Sequence, residues 1–482
     1  MPATTDRRAA TSVRHLIGGE WVEEPVKQRR NPARPEEVVA ELPDGGAEEV
    51  EAAIAAAQES LPQWRKTAAP ARGAILGRAA ELLTARKDEI GRDLTAEEGK
   101  TLTEATMEVQ RASDIMRFHA GTGWRLGGES LPSSLPNTHL YTQHEPLGVV
   151  ALITPWNFPI AIPAWKLAPA LVSGNTVVMK PAGLTPLSVQ HMAECLVEAG
   201  LPAGVLNIVI GSGSTVGDAL VRDERVAGIS FTGSTAVGMQ IHEIASARMA
   251  RVQLEMGGKN AVIVLDDADP ELAAQVVAQG GYALTGQACT ATSRVIATPG
   301  AHDAFVDALT EAARAWAPGD GQQQGVKMGP VVSDSQLETD RSYVDIARDE
   351  GAEVATGGTN EAFFFEPTVL TGVSPTMRVA REEIFGPVIS VLRAGDLDEA
   401  IAITNASPYG LTGGIVTNDL KAAMRFADEA EVGVVKINRP TTGLDLNAPF
   451  GGYKQSSTGT FREQGSTATD FYTRIKTVYM GA

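Results

Sequence analysis

The sequence predicts an α/β protein built around parallel β-sheets, with more than one domain. The alternation of strands and helices predicts the sheets, and the length predicts the domains. From residue 146 onward, short β-branched runs alternate with helical stretches, which is typical of parallel sheets covered by helices. The length of 482 residues also exceeds the roughly 250–300 residues at which a single hydrophobic core stops growing. Because the alternation continues to about residue 430, we expect two α/β lobes.

The first 145 residues carry fewer strand signals than the rest of the chain. Ile75, Leu76, Ala79, Leu82 and Leu83 recur at the three- and four-residue spacing of a helix face. A Gly- and Pro-rich stretch then interrupts the helical pattern. The elements predicted for this part are a loose tail (1–14), a strand with a Gly18-Gly19 turn (His15–Val22), two helices (Ala47–Thr67 and Pro70–Ile90), a break (121–136) and a strand of a protruding hairpin (Thr138–Gln143).

The alternating region is predicted from its β-branched runs and its helical periodicity. The alternation resumes at Ala261, and the last segment, Thr467–Tyr479, alternates enough to be an edge strand. The elements predicted between residues 146 and 256 are strands at Val149–Ile153, Thr176–Met179, Leu206–Ile210, Val226–Phe231 and Val252–Leu254, with helices at Ile162–Leu171, Leu187–Glu198, Thr215–Val221 and Ala236–Ala247.

The composition argues against several classes of protein. The net charge of −18 argues against a nucleic-acid partner, because phosphate contacts need a basic face. Two cysteines cannot form a disulfide framework, so we expect a reducing, cytoplasmic compartment. We expect no signal peptide, since Met1–Arg8 has no apolar stretch after it, and no membrane partner, since no apolar run reaches about 20 residues. The histidines lack a metal-binding spacing, so no metal site is expected.

Cys289 is the first candidate for chemistry. It follows Gly286 and Gln287 in a Gly-flanked segment, and such a turn brings backbone N–H groups close to a substrate. A thiolate beside these donors attacks a carbonyl, and the donors stabilise the resulting oxyanion. The alternative is a buried, inert cysteine, which is the commoner fate of a free thiol. Cys195, on a predicted amphipathic helix, is interpreted in that way.

Two further candidates lie just after predicted strands. Glu255 precedes the Gly257-Gly258 pair, at a strand end where catalytic groups collect in α/β sheets. Taken alone, a surface glutamate in a loop is the favoured interpretation. Asn157 lies in a Pro-punctuated turn and offers an N–H₂ donor for an oxyanion, although an Asn that bonds within its own turn is common.

Two Gly- and Ser-rich loops, Gly211–Gly217 and Phe231–Gly238, each follow a β run and open a helix. Glycines let a ligand approach the backbone, and helix N-termini attract phosphate. Neither loop is a strict G-x-G-x-x-G, and no acidic residue follows at the usual ribose position. Each loop alone is weak support, but the two together favour a dinucleotide site.

Taken together, these motifs resemble the aldehyde dehydrogenase superfamily over His15–Tyr479. The resemblance is specific because five separated motifs occur in the family's order. They are Pro155-Trp156-Asn157-Phe158-Pro159, Phe231-Thr232-Gly233-Ser234, Glu255-Met256-Gly257-Gly258-Lys259, Gly286-Gln287-Ala288-Cys289 and Glu382-Glu383-Ile384-Phe385-Gly386-Pro387.

The resemblance implies the chemistry and the site residues. Cys289 is similar to the nucleophile that forms a thiohemiacetal with an aldehyde, and Asn157, with the N–H of Cys289, to the oxyanion hole. Hydride transfer to NAD or NADP then gives a thioester. Glu255 is similar to the base that activates water, and Lys166 to a lysine linked to proton relay. The implied cofactor contacts are Thr154, Trp156, Lys180, Gly183, Gly213, Gly217, Phe231, Ser234, Val237, Met256, Glu383 and Phe385.

Two positions depart from the family's common pattern. Gly183 stands where many members carry a Glu that binds the adenosine ribose, three residues after Lys180. Without that carboxylate a 2′-phosphate meets less repulsion, so we predict that NADP is accepted. Leu284 stands where many members have Asn, and the sequence does not say what this changes.

Other segments resemble the 2,5-dioxovalerate (α-ketoglutarate semialdehyde) dehydrogenase branch of the family, which implies a small semialdehyde with a carboxylate. Arg439 is the candidate partner of that carboxylate, against the alternative of a surface or inter-subunit arginine. Another semialdehyde or an aromatic or aliphatic aldehyde stays open, as do a catalytically silent relative and a CoA-acylating enzyme. Silent relatives usually lose the nucleophile or the base, and both Cys289 and Glu255 are present here. Glu255, as the base that activates water, favours hydrolysis over transfer of the acyl group to CoA. The segments are Asn438–Asp445, Pro449–Gly452, Thr460–Gly465 and Cys289–Arg294.

The resemblance also implies a division of the chain and an assembly. An arm with unpaired strand edges indicates pairing with another subunit, and the family forms homodimers or homotetramers. The implied parts are a Rossmann-like dinucleotide-binding domain (1–123 and 146–256), an α/β catalytic domain (257–435), a small β oligomerisation arm (124–145 and 466–482) and a segment that returns to the cofactor side and the active-site entrance (436–465).

Overall fold

Two seven-stranded β-sheets organise residues 10–481, the part of the chain that the computed structural model describes. The predicted α/β class with parallel sheets is confirmed. The first nine residues of the predicted tail, which include Met1–Arg8, lie outside the described residues. None of the helices within residues 10–481 combines the length and the apolar character that a membrane-spanning helix requires.

The chain up to residue 146 is mainly helical. The predicted strand at His15–Val22 is a hairpin closed by Gly18 and Gly19, both with positive φ. The predicted helix Pro70–Ile90 ends at Ala85, because Arg86 leaves the helical conformation at φ −99° and ψ 6°. The elements are β1 (Thr11–Ser12), β2 (His15–Ile17), β3 (Glu20–Val22), β4 (Lys27–Arg30), β5 (Val38–Leu42), α1 (Ala47–Trp64), α2 (Ala69–Ala85), α3 (Lys87–Glu98), α4 (Leu102–Thr122), β6 (Ser130–Leu131) and β7 (Thr138–Pro146).

The next segment follows the predicted alternation closely. One difference lies at the predicted helix Thr215–Val221. Its start belongs to a single π-helical turn, Gly213–Gly217, and a short α-helix follows. The elements are β8 (Val149–Ile153), α5 (Ala161–Val172), β9 (Thr176–Lys180), α6 (Pro186–Glu198), β10 (Leu206–Ile208), α7 (Asp218–Arg222), β11 (Val226–Thr232), α8 (Thr235–Ala247) and β12 (Arg251–Glu255).

The second lobe repeats the pattern, and the chain then ends in a long strand. The elements are β13 (Asn260–Val264), α9 (Pro270–Tyr282), β14 (Thr292–Ala297), α10 (Pro299–Arg314), α11 (Asp334–Asp349), β15 (Glu353–Thr356), β16 (Asn360–Glu361), β17 (Phe364–Phe365), β18 (Thr368–Thr371), α12 (Arg378–Arg381), β19 (Val388–Arg393), α13 (Leu397–Asn405), β20 (Tyr409–Gly410), β21 (Thr412–Val416), α14 (Leu420–Glu429), β22 (Val434–Ile437), β23 (Tyr453–Lys454), α15 (Ala468–Tyr472) and β24 (Thr473–Gly481).

Strand order places both sheets in the doubly wound class. The first runs β12-β11-β8-β9-β10-β2-β3 and the second β15-β18-β19-β14-β13-β21-β22. The central strands are parallel, while β2, β3 and β15 pair antiparallel with their neighbours. Alternate residues of β8 enter different hydrophobic clusters, Val150 on one face and Ala151 on the other. Helices therefore cover both faces, as parallel sheets require.

A third, antiparallel sheet joins distant parts of the chain. Its order is β24-β7-β6, and β24 pairs with β7 from Thr473 to Gly481. The predicted edge strand therefore exists, but it begins at Thr473, because Ala468–Tyr472 form α15. Ile475 and Tyr479 on this strand are exposed. The domain boundaries and the assembly through this arm stay predictions.

Candidate active site

The candidate site lies at the carboxyl edge of the first sheet. Strands β12, β11, β8 and β9 are parallel neighbours. Ile153 pairs with Lys180 on one side and with Phe231 on the other, and Glu255 ends the next strand. The strand ends therefore align Lys180, Phe231 and Glu255 with Thr154, at the edge where α/β sheets bind ligands.

Cys289 follows a sharply bent segment of the second lobe. Leu284 and Thr285 have φ values of 57° and 59°, and Gly286 has 67°. Glycine is required at 286, since a Cβ there would lie 2.3 Å from the carbonyl oxygen of Gly386. The bend presents Cys289, half-buried, to a cavity of about 830 Å³.

Two asparagines tie the Cys289 segment to strand ends. Asn157 Nδ2 donates to the carbonyl oxygen of Gln287 at 2.9 Å. Asn260 Nδ2 donates to the carbonyl oxygens of Cys289 and Ala291, both at 2.8 Å. A side-chain amide carries two N–H donors, so Asn157 keeps one for an oxyanion. The structure therefore brings the predicted nucleophile and the predicted donor to one junction.

Glu255 is 2% exposed at the end of β12. Its Oε1 accepts from Ser457 Oγ at 2.9 Å, and its Oε2 has no partner among the described residues. Burial and the charge of Glu463 raise the pKa of Glu255 well above its usual range, against Ser457 and Lys166. Such a carboxylate, once ionised, is a stronger base than an exposed one.

Lys166 lies on α5 and is fully buried. Its Nζ donates to Glu463 and, at 2.8 Å, to Ser230 Oγ. Ser230 donates onward to Gln253 Oε1 at 2.9 Å. Glu463 is not predicted as a functional residue from the sequence, where its segment carries only a resemblance to the family branch. A single Glu between Arg462 and a Gln carries no periodicity or spacing signal.

The charges around Cys289 set its protonation. Burial and the carboxylates of Glu383, Glu255 and Glu463 raise the pKa of the Cys289 thiol to about 12. The thiol is therefore protonated at neutral pH in the protein alone. A bound group with positive charge would reverse the effect of these carboxylates.

The predicted cofactor residues of the first sheet combine buried side chains with two exposed glycines. A Cβ added at Gly183 or Gly213 meets no atom within 4 Å, so a ligand has access to the backbone there. Gly217 ends the neighbouring turn. Ser234 precedes α8 without bonding its backbone, so its hydroxyl is available to a phosphate. Lys180 Nζ donates to the carbonyl oxygen of Pro181 at 3.0 Å. These residues fit a dinucleotide phosphate and ribose.

The second lobe contributes the remaining predicted contacts. Glu383 Oε1 accepts from the Gly258 N–H at 2.8 Å, and burial raises the pKa of Glu383 to about 7. The rings of Phe385 and Trp156 meet edge to face, with centroids 5.4 Å apart. Met256 is buried, whereas Val237, in the first turn of α8, is 44% exposed.

Arg439 is not brought to the cavity. It is exposed and is not among the residues that line the space around Cys289, so the pairing of Arg439 with a substrate carboxylate stays a prediction without support from the cavity. The lining cations are Arg111 on α4 and the exposed Lys327. Arg111 was missed because a polar helix face gives no functional signal in a sequence. Leu284 does line the cavity.

The chain is similar to known proteins over nearly its whole length. The chain matches the model described as the aldehyde dehydrogenase family over residues 21–478. It is 49% identical to the alpha-ketoglutarate semialdehyde dehydrogenase of Haloferax volcanii (97% of this chain, 98% of that protein). It is 47% identical to the 2,5-dioxopentanoate dehydrogenase of Saccharolobus solfataricus (94% and 95%). Betaine aldehyde dehydrogenase of Staphylococcus aureus, solved in complex with NAD+, superposes with a TM-score of 0.94 at 36% identity (97% and 95%).

We predict that Cys289 in the protein alone reacts slowly with iodoacetamide at neutral pH. Because its pKa is raised to about 12, the thiolate fraction grows close to tenfold per pH unit, so the rate should climb steadily between about pH 7 and 10. The measurement uses Cys195→Ser protein, which leaves one cysteine, with Cys289→Ser as the control. A rate that levels off below about pH 9 contradicts the prediction.

Proposed function

This chain belongs to the aldehyde dehydrogenase family, and we propose that it oxidises a short semialdehyde whose far end carries a carboxylate. As an NAD(P)-dependent aldehyde dehydrogenase it converts an aldehyde to a carboxylic acid. The observation that carries the substrate class is the cavity shared by Cys289 and Arg111. We also propose roles for the residues around Cys289.

The first half-reaction forms a bond to Cys289. The thiol loses its proton to solvent, and its sulfur adds to the aldehyde carbon while the carbonyl electron pair moves onto oxygen. The free N–H of Asn157 and the backbone N–H of Cys289 stabilise the oxyanion of this thiohemiacetal. A nicotinamide dinucleotide, when bound, supplies the acceptor for the hydride that leaves the same carbon.

The second half-reaction releases the acid. The acyl group on Cys289 is a thioester, and Glu255 takes a proton from water as the water oxygen attacks. The carbon–sulfur bond breaks and the thiolate leaves. The unpartnered Oε2 of Glu255 is the atom that takes this proton. Lys166 and Glu463 keep a charged, hydrogen-bonded pair beside it, which gives a path for removing that proton.

Arg111 supports a substrate with a negatively charged end. It is half-buried, and its Nη2 donates to Gln464 Oε1 at 2.8 Å, so the guanidinium is oriented. A guanidinium has five N–H donors, which leaves several for a carboxylate. The cavity wall around it includes the rings of Phe158, Trp165 and Phe450. A short carbon chain between an aldehyde and a carboxylate suits this arrangement, and the names of the two relatives describe such substrates.

We propose NADP as an accepted cofactor. The supporting observation is the open space at Gly183 beside the buried ammonium of Lys180. Burial lowers the pKa of Lys180 to about 8, so a bound phosphate would favour its charged form. Lys180, Glu383 and Ser234 would hold the ribose and phosphates, and Trp156, Phe385 and Met256 would lie beside the nicotinamide end.

Replacement of the two reacting side chains is expected to separate the half-reactions. Cys289→Ala should abolish NAD(P)H formation from 2,5-dioxopentanoate. Glu255→Gln should retain a burst of about one NAD(P)H per subunit and then turn over 10²- to 10⁴-fold more slowly, which is the usual contribution of a general base. Stopped-flow absorbance measures both phases, and Cys195→Ala is the matched cysteine control. Steady turnover of Glu255→Gln at the wild-type rate contradicts the role of Glu255.

Arg111→Met is expected to raise KM for 2,5-dioxopentanoate at least about tenfold more than KM for pentanal, because a hydrogen bond to a charged group contributes roughly 1.5–3 kcal/mol. Steady-state kinetics with both aldehydes measures the difference. Arg439→Met, which removes an exposed arginine outside the cavity, is the control. Equal KM changes for both aldehydes would exclude Arg111 as the carboxylate partner.

Gly183→Glu is expected to lower kcat/KM for NADP at least about tenfold relative to NAD, because the carboxylate repels a 2′-phosphate. Gly183→Ala adds a side chain without charge and serves as the control. The proposal is overturned if the wild-type enzyme prefers NAD by more than about tenfold, or roughly 1.4 kcal/mol.

A further inference from the structure

The residues that begin α4 contact both segments of the candidate site, and the mechanism above does not use them. Residues 100–108 carry three buried or half-buried charged side chains that face the site: Lys100, Glu104 and Glu108. Two of them bind the segment of Asn157, and one binds the segment of Cys289.

Lys100 and Glu108 hold the segment around Asn157. Lys100 is 1% exposed, and its Nζ donates to the carbonyl oxygen of Asn157 and to Glu108 Oε2, both at 2.6 Å. The other oxygen of Glu108 accepts from the N–H groups of Ile160 and Ala161 at 3.0 and 3.1 Å. The backbone that follows the Asn157 side chain, from its carbonyl oxygen to the N–H of Ala161, is therefore bonded to one ion pair.

Glu104 holds the bend before Cys289. Its Oε1 accepts from the Leu284 N–H at 2.8 Å, and its Oε2 accepts from the N–H and hydroxyl of Thr101 at 2.9 and 2.8 Å. The bonded residue, Leu284, is in the left-handed region at φ 57°, which L residues rarely adopt. The bond to Glu104 therefore stabilises the conformation that directs Cys289 into the cavity.

Stability alone does not account for the Lys100–Glu108 pair. Replacing a buried ion pair with apolar side chains is often neutral or stabilising. Burial opposes the charge of Lys100, but Glu108 and Glu98 raise its pKa, so it stays a charged donor. One of its hydrogen bonds ends on the carbonyl oxygen of Asn157. A shift of the backbone there would move the side-chain N–H of Asn157, which is the proposed oxyanion donor.

We propose that Lys100 and Glu104 are positioning residues that hold the oxyanion donor Asn157 and the nucleophile Cys289 in register across the two lobes. This inference rests on the roles proposed for Cys289 and Asn157. Lys100 acts through the main chain of Asn157, and Glu104 acts through the main chain of Leu284. Lys100 does not line the cavity, whereas Glu104 does; the role proposed for Glu104 acts through its bond to Leu284.

The test is a double-mutant cycle between Lys100→Met and Asn157→Ala. If Lys100 acts through Asn157, Lys100→Met lowers kcat about ten- to a hundredfold in the wild-type background but less than about threefold in the Asn157→Ala background. KM for the aldehyde and cofactor binding, followed by fluorescence titration, should change less than about threefold. The proposal is overturned if Lys100→Met lowers kcat by the same factor in both backgrounds. Equal factors mean that Lys100 and Asn157 act independently, as they would if Lys100→Met only destabilised the protein.

Further variants keep the test decisive if Lys100→Met folds poorly. Lys100→Met/Glu108→Gln removes both buried charges and should regain thermal stability without regaining kcat. Glu104→Gln keeps an acceptor for Leu284 and should retain more kcat than Glu104→Ala. Arg117→Met removes an exposed, ion-paired cation from the same helix and is the control. Recovery of kcat together with stability in the double variant overturns the proposal.

The outcomes also separate this inference from the proposed function. Wild-type kcat in Asn157→Ala, or activity in Cys289→Ala, defeats the proposed roles themselves. A large loss in Asn157→Ala with additive Lys100→Met defeats the positioning role alone. Kinetics are normalised to the concentration of folded protein, measured by gel filtration and circular dichroism, so unfolded protein does not count as inactive enzyme.

Discussion

Asn157 and Gln287 meet through one hydrogen bond of 2.9 Å between a side-chain amide and a carbonyl oxygen. Asn157 follows β8 of the first sheet, whereas Gln287 lies in the second lobe two residues before Cys289. The side-chain oxygen of Gln287 accepts in turn from the Val332 N–H at 2.9 Å. Reacting groups must be held within about half an ångström of their working geometry, and the rest of the site depends on this junction between lobes.

The site is also defined by an excess of negative charge. Burial and the carboxylates of Glu383, Glu255 and Glu463 raise the pKa of Cys289. Lys166 forms an ion pair with Glu463 and opposes the raised pKa of Glu255, and Lys259 opposes that of Glu383. A protonated thiol is a poor target for oxidants, because oxidation proceeds through the thiolate. The same carboxylates would attract a positively charged group bound near Cys289, and such a group would lower the pKa of the thiol.

The elements that local pattern determines were predictable from the sequence. Strand β8 has the predicted bounds, and Glu255 lies at a strand end because a β-branched run followed by two glycines ends a strand. Helix α4 was not predicted, although Thr101 and Glu104 form a capping box at its start. Its many polar residues leave no clear apolar periodicity in the sequence.

Contacts between distant segments could not be predicted in this way. Lys166 and Glu463 are 297 positions apart in the chain, and Arg111 is 353 positions from Gln464. No spacing rule relates such residues, because the folding of both lobes decides which side chains meet. The sequence therefore indicates Cys289, Glu255 and Asn157, which follow strands or glycine-rich turns, but not the charged residues that surround and align them.

The bend at Leu284 has a consequence for how this protein tolerates change. The left-handed backbone conformation costs an ordinary L residue roughly 1–2 kcal/mol of conformational free energy, and Asn adopts it more readily. This position commonly holds Asn in the family that the motif resembles, so this chain keeps a strained backbone and gains an apolar wall for its cavity. A substitution at Leu284 therefore changes two properties together, the strain of the bend before Cys289 and the shape of the cavity wall beside it.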